Sequence, residues 1–284
     1  MTNGDTGMKI AVMVKQVPDS GAERTLRADD HTVDRDAADN IINEMDEYAI
    51  EEALRLQEAH GGEVTILTMG PERAADSIRR ALSMGPDRAV HVRDAALAGS
   101  CALATSRVLA AALRTLAPDL VLCGAESTDG RMQAMPHMVA ERLGIAALTG
   151  ARALTVDGRT VTIERQTDEG YEVVTAAMPA VVSVWDTINQ PRYPSFKGIM
   201  AARKKPVTEV SLADLGIDPA EVGAAGATSA VLAHEQRPPR TGGRVLVDDG
   251  EAGVALADFL ASQGFLVPEG SPVSEGSSIT GGRA

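Results

Sequence analysis

Four times before residue 145 the chain passes from a short apolar run into a stretch with apolar residues at helical spacing. The runs are Lys9 to Val17 (KIAVMVKQV), Glu63 to Met69 (EVTILTM), Arg88 to Val92 and Asp119 to Cys123 (DLVLC). Nearly unbroken apolar runs suit strands covered on both faces. Helices are predicted from Asp46 to the Gly61-Gly62 stop, where Ala49, Ile50, Ala53, Leu54 and Leu56 keep helical spacing. Others are predicted over 72–84 after Pro71, over 101–116, and from Arg131 to Leu143. Such alternation predicts an α/β fold, a doubly wound and mostly parallel sheet with helices on both faces.

The rhythm then changes. Ala151 to Val156, Thr160 to Arg165 and Glu172 to Ala176 are short alternating runs, split by Asp157-Gly158 and Glu169-Gly170. They predict an antiparallel meander added to the sheet, with the dipeptides as tight turns. Pro179 to Val184 reads as another buried strand, and the polar stretch 18–45 as a long excursion outside the core. After Leu215 the chain turns Gly-, Ala- and Pro-rich. One amphipathic stretch, Gly250 to Phe265, follows in what predicts an extended C-terminal arm. A helix of that length is marginal in water alone and must pack on this chain or another. Residues 267–284, dominated by Ser, Gly and Pro, are expected to be disordered.

Composition narrows the function. With 40 acidic and 27 basic residues the net charge is −13, which argues against nucleic acid or an anionic membrane as the main partner. Two cysteines make neither a disulfide framework nor a structural zinc site. No apolar run approaches the roughly 18 residues that span a bilayer. The polar start, Met1 to Gly7, resembles neither a signal nor a transit peptide, so a cytoplasmic location is expected.

In an open parallel sheet, ligands bind beyond the carboxyl ends of the strands where their order reverses. That rule selects the loops around Met13, Met69-Gly70 and Gly124 to Gly130. GAESTDG is small and polar, and leads toward a helix whose free N–H groups favour an anion. Thr128 or Asp129 could equally cap that helix with no ligand bound. Glu126 and Asp129 suit ribose hydroxyls or the cap better than phosphate, leaving backbone amides and Arg131 for the latter. There is no GxxxxGK[ST], no GxGxxG after the first strand and no GxSxG. The five histidines (His31, His60, His91, His137, His234) share no ligand spacing, and Cys123 has no flanking base. The sequence offers a binding cleft without a catalytic constellation, which favours a carrier over an enzyme.

One window departs from the acidic background. Arg192, Lys197, Arg203, Lys204 and Lys205 occur with no acid between them, and Tyr193 and Phe196 fall among them. An apolar anchor ringed by cations suits docking of an acidic partner. A solvated basic loop with Phe196 packed inward is the alternative.

Several strings together resemble the electron-transfer flavoprotein beta subunit: KIAVMVKQVPD, INEMDEYAIEEALRL, TMGPERAADSIRRALSMGPDRAVHV, GAESTDG, ERQTDEGYE and INQPRYPSFKGIMAARKKPV. The likeness runs from about residue 8 to 215. It implies an adenine-nucleotide-alpha-hydrolase-like domain over 1–215, paired with an alpha subunit as a heterodimer. Residues 216–266 would be the linker and arm wrapping that partner. The resemblance further implies one FAD, held mainly by the alpha subunit, and a structural AMP in the beta subunit. Electrons would come from acyl-CoA dehydrogenases of fatty acid beta-oxidation and similar flavin dehydrogenases, and pass to a membrane quinone oxidoreductase. The AMP contacts would fall at Met13, at Asn43, Glu44, Met45 and Asp46, at Met69, and at Gly124, Ala125, Glu126, Ser127, Thr128, Asp129, Gly130, Arg131, Met132, Gln133, Ala134 and Met135. Phe196 would be the apolar anchor of a dehydrogenase-recognition loop formed with Arg192, Tyr193, Lys197, Ile199 and Met200.

The chain departs from the family pattern in two places. It has Asn43-Glu44 where Asn-Pro is common. It also lacks a Gln-Thr pair at the start of the fourth helix, so backbone amides with Gln133 or Arg131 would have to hold phosphate. Three alternatives stand beside this reading. A bifurcating relative would carry a second FAD in place of AMP. A stand-alone universal-stress-type nucleotide-binding protein would need neither the basic window nor an arm. An ATP-pyrophosphatase-like enzyme would need an SGGxDS-like loop after the first strand, where this chain has Gln16-Val17-Pro18-Asp19.

Overall fold

A computed structural model of the chain describes residues 7–266 apart from 236, 239–241, 244 and 249. Residues Met1–Thr6 and 267–284, and with them the readings of a polar start and a disordered tail, lie outside the described residues. The chain divides into two compact units between His234 and Glu235.

The first unit is built on a nine-stranded sheet. In chain order its strands are β1 (Met8–Met13), β4 (Gly62–Met69), β5 (Arg88–Val92), β6 (Leu120–Gly124), β7 (Ala146–Asp157), β8 (Thr160–Thr167), β9 (Gly170–Ala177), β10 (Ala180–Val184) and β11 (Val207–Val210). Two short strands, β2 (Gln16–Pro18) and β3 (Asn40–Ile42), pair antiparallel as a separate hairpin. The spatial order is β11-β5-β4-β1-β6-β10-β7-β8-β9, parallel from β11 through to the start of β7 and antiparallel across β7, β8 and β9. This is the mixed α/β fold with an added meander that the hydrophobic pattern predicts.

The pleat sorts each strand onto two cores. Ile10 and Val12 of β1, Leu120 and Leu122 of β6 and Val182 of β10 face one side, where α1 (Glu44–His60) and α2 (Ala74–Met84) pack. Ala11 and Met13, Val121 and Cys123, and Val181 face the other, under α3 (Ala102–Leu116) and α4 (Met135–Leu143). The chain changes face after β5, which places the reversal of strand order between β1 and β6. Leu212, Ile217 and Val222 are buried in the second core, so packing continues past Leu215. In the second unit α6 (Ala252–Ser262) has no buried residue and exposes Val254, Leu256 and Phe259.

Several boundaries differ from the pattern-based ones for physical reasons. The run Lys9–Val17 breaks after Met13, because Lys15 and Gln16 leave the sheet to start the β2–β3 hairpin. β7 begins at Ala146 and not Ala151. Its first half, AALTG, has little strand propensity but pairs parallel with β10, while its second half opens the meander. α5 (Phe196–Ala202) and β11 are too short to show a period and have no counterpart in the pattern. The fourth helix starts at Met135, not Arg131, because Arg131 and Gln133 hold left-handed backbone with φ of 47° and 58°.

Close approach of α1 to the end of β6 makes one glycine sterically necessary. A Cβ on Gly124 would lie 2.6 Å from the Met45 Cβ and 2.8 Å from an Asp46 carboxylate oxygen. Gly124→Ala is therefore expected to lower stability by roughly 1–3 kcal/mol, read as a reduced urea midpoint. Gly130→Ala, whose Cβ would meet the Ser127 hydroxyl at 3.5 Å and Lys15 Nζ at 4.0 Å, both ordinary contacts, should stay within about 0.5 kcal/mol of the parent.

Candidate functional site

Three segments converge at the carboxyl ends of β1 and β6. Asp46, in the first turn of α1, accepts from the Lys15 backbone N–H at 2.8 Å and from the Gly124 N–H at 3.1 Å. Burial is the main influence on this carboxyl and pushes it up to about 6, against the opposing hydrogen bonds from Lys15, Asn43 and Gly124. Asn43 supplies a second tie. Its side-chain nitrogen donates to the Glu126 carbonyl at 3.0 Å, and its side-chain oxygen accepts from the Thr128 N–H at 3.0 Å. Asn43 and Asp46 thereby set the backbone path of the loop 124–130 at its start and its middle.

Asp129 forms the third tie. Its carboxylate meets Lys15 Nζ at 2.8 Å and Arg35 Nη2 at 2.5 Å, with its side chain only 2% exposed. Burial opposes ionisation here too, but the Lys15 charge and the bonds from Lys15 and Arg35 outweigh it. They hold this carboxyl well below the usual range. Neither Asp129 nor Thr128 caps α4. The residue before that helix is Ala134, which offers no side-chain cap. Arg131 to Ala134 form a connector in which the backbone N–H groups of Met132, Gln133, Ala134 and Met135 have no hydrogen-bond partner among the described residues. The expected step from the Gly-rich loop straight into a helix N-terminus is thus corrected. An irregular four-residue connector lies between them.

The other selected residues are distributed as follows. Met13 is buried at the end of β1, and Met69 ends β4 against the same core. Met45 packs on Gly124, whereas the Glu44 carboxylate accepts from the Ser20 hydroxyl at 3.0 Å. Ala125 is fixed to β10 through its N–H and the Val184 carbonyl at 2.9 Å. Ser127 accepts from Lys15 Nζ at 3.2 Å. Gln133 donates to the Glu126 carboxylate at 2.8 Å, and Arg131 lies 4.0 Å from the same group, so both expected phosphate side chains already face an acid. Met132 is exposed. Cys123 is buried, and burial raises its thiol far above the ordinary value. His137 meets Thr149 at 3.3 Å. Pattern reading missed Lys15, Arg24 and Arg35, whose only sequence signal is a position on or near a polar excursion. Two buried polar atoms here have no partner among the described residues, Thr128 Oγ1 and Arg35 Nη1.

The second selected region is the start and exposed face of α5. Tyr193 and Phe196 are 91% and 80% exposed, and Ile199, Met200 and Lys197 lie on the same open surface. Ser195 caps this helix by accepting from the Gly198 N–H at 3.1 Å. The expected ring of five cations is smaller than the sequence suggests. Arg192 is bound to both oxygens of Glu51, at 2.7 and 3.0 Å, and to Glu58 at 2.7 Å. Lys205 donates to the carbonyls of Leu82 and Gly85 at 3.1 and 2.6 Å. These two clamp the segment onto α1 and α2, and Lys197, Arg203 and Lys204 are the exposed cations that remain.

Among the described residues no helix is long and apolar enough to cross a membrane, and no cluster of three or more His, Cys, Asp or Glu could hold a metal ion. Comparison with known proteins matches residues 30–215 to the electron transfer flavoprotein domain. An electron transfer flavoprotein subunit beta of Mycobacterium tuberculosis is 48% identical over 260 residues, covering 89% of this chain and 98% of the relative. That of Megasphaera elsdenii is 37% identical over 257 residues, 87% of this chain and 95% of the relative. Protein FixA of Azorhizobium caulinodans is 38% identical over 219 residues, with coverages of 74% and 78%.

The two ion pairs at Asp129 generate a pH-dependent prediction. A carboxyl depressed in the folded state adds stability that is complete above its unfolded value near 4, and is lost as pH falls below it. Asp129→Asn should cost about 1–3 kcal/mol at pH 7, since Lys15 and Arg35 stay partly solvated once released. Urea denaturation should show that gap unchanged down to about pH 5 and narrowing below about pH 4. A constant gap at every pH would deny the charge its role.

Proposed function

The chain belongs to the electron transfer flavoprotein beta-subunit family, and from that premise we propose that it works as one half of a heterodimer with an alpha subunit. The pair carries one FAD, held mainly by the alpha subunit, and one AMP bound by this chain. It accepts electrons from acyl-CoA and similar flavin dehydrogenases and delivers them to a membrane quinone oxidoreductase, from a cytoplasmic location. Membership in a family of electron-carrying subunits sets aside the stand-alone universal-stress-type reading.

The observation that carries the nucleotide part is the cradle between β1 and β6. Its backbone is preset by Asn43, Asp46 and Asp129. It presents free amides from Met132 to Met135 together with the unpartnered Thr128 hydroxyl and Arg35 Nη1. Thr128 Oγ1 and Arg35 Nη1 are buried without a partner, which costs free energy, and a bound phosphate oxygen would satisfy them. The residues present therefore fit a nucleotide phosphate. The amides would hold it, because Gln133 and Arg131 are turned to Glu126. AMP in this role stabilises the beta subunit by binding its folded form.

The flavin supplies the redox chemistry, and no side chain of this chain forms or breaks a bond. What the chain contributes is position. α5, clamped to α1 and α2 through Arg192, Arg79 and Lys205, offers Tyr193, Phe196, Ile199 and Met200 as a fixed apolar anchor. Lys197, Arg203 and Lys204 lie on the same segment and favour an acidic dehydrogenase surface. In the second unit, the exposed apolar side chains of α6 suit an arm laid on the alpha subunit, since an isolated helix of this length gains little stability alone.

Co-expression with the alpha-type subunit, followed by extraction of bound nucleotides, should yield one FAD and one AMP per heterodimer. Two FAD and no AMP would replace the AMP assignment by the bifurcating arrangement. Phe196→Ala should slow flavin reduction by a reduced acyl-CoA dehydrogenase on the order of tenfold or more, with the flavin spectrum unchanged. Equal rates in variant and parent would remove the anchor role.

A further inference from the structure

Residues 19–39 have no part in the strand-end cradle as the sequence describes it, yet they touch it. They leave β2 and return into β3, and an antiparallel bridge between Leu26 and Val33 gives them the form of a flap. No side chain between Asp19 and Asp39 belongs to the core, and Leu26 is 39% exposed. Polar contacts hold the flap down. Arg24 Nη1 donates to the Thr128 carbonyl at 2.8 Å, and Arg35 Nη2 meets Asp129 at 2.5 Å. Asp36 pairs with Arg73, the Ser20 hydroxyl donates to Glu44 at 3.0 Å, and the His31 and His234 rings meet through their Nδ1 atoms at 3.0 Å. A segment fastened this way buries almost no apolar surface, so opening it forfeits little hydrophobic free energy.

Both arginine contacts end on the loop assigned above to the nucleotide. We propose that residues 19–39 are the lid of that site and that the Arg35–Asp129 ion pair is its latch, an inference that rests on the nucleotide reading. Arg35 then acts in two ways, with Nη2 positioning Asp129 and Nη1 left for the ligand. From the lid it holds Asp129, and Asp129 with Lys15 holds the loop whose amides face the ligand. The charges agree. Lys15 and Arg35 together exceed Asp129 by one positive charge, which suits an anionic ligand beneath a closed lid. The unpartnered atoms agree too, Arg35 Nη1 on the lid side and Thr128 Oγ1 on the loop side. Without the latch the two hairpin strands would still anchor the flap's ends, so the cradle persists while its cover swings free.

Release of bound AMP tests this directly. The heterodimer is loaded with labelled AMP, and the first-order loss is followed in excess unlabelled AMP. Arg35→Ala should release it at least roughly tenfold faster than the parent, the loss expected for one charge-assisted contact. Arg35→Lys, which keeps the charge without the fork, should fall between the two. Arg27→Ala, which removes contacts only to Asp29 and Asp30 inside the flap, should release AMP at the parent's rate within about twofold. Trypsin should also cut after Arg24 and Arg27 several-fold faster in Arg35→Ala than in the parent. Unchanged release and unchanged cleavage in Arg35→Ala would overturn the latch while leaving AMP binding intact. Equal acceleration by Arg27→Ala would overturn it as well. A parent heterodimer that holds no AMP would overturn the nucleotide reading itself, and the lid with it.

Discussion

A single buried carboxylate joins the pieces on which the site depends. Asp46 bonds the backbone just after β1 and the last residue of β6, from the first turn of α1. Those two strands flank the reversal of strand order, the place where open parallel sheets bind their ligands. The bonds oblige α1 to approach β6 so closely that Gly124 has no room for a side chain. The arrangement carries a cost, since burial disfavours the charged carboxylate and raises its titration toward 6. Two backbone donors offset part of it. A polar group kept in so dry a place constrains geometry more than it adds stability, and the geometry constrained is that of the candidate binding loop.

The charges around this loop divide into those that build it and those left over. Asp129 is consumed by Lys15 and Arg35, and Glu126 by Gln133 and Arg131. Asp129, which looks from the sequence as if it would repel an anion, is neutralised by Lys15 and Arg35, while Glu126 keeps one neutral donor at 2.8 Å and an exposed arginine at 4.0 Å. α5 shows the converse. Arg192 and Lys205 look like surface cations but fasten the segment to α1 and α2, so its exposed character is more apolar and less basic than its composition. In both places a count of charges misleads because ion pairing between distant segments is invisible to it.

Much of the fold is legible in the sequence, because its dominant signal is local. Arg88–Val92 and Gly62–Met69 are apolar runs within one residue of their observed limits. Gly158 sits in the first turn of the meander, whereas the second turn is Asp168-Glu169, one residue ahead of the predicted dipeptide, and Gly170 opens β9. What fails is what lacks a period. α5 spans seven residues and β11 four, too few to show one. The first half of β7 becomes a strand only because β10 lies beside it. The fourth helix looks longer than it is, since left-handed backbone at Arg131 and Gln133 leaves no mark in hydropathy.

The chain's own order of residues determined the strand–helix alternation, the aliphatic core and the loops at the carboxyl ends of the strands, because each follows from contacts between near neighbours along the chain. Tertiary structure alone decided which charges are free. Arg35 reaches Asp129 across 94 positions, and Arg192 reaches Glu51 across 141. Partners that distant are chosen by how the sheet brings its strand ends together, and no local pattern encodes them.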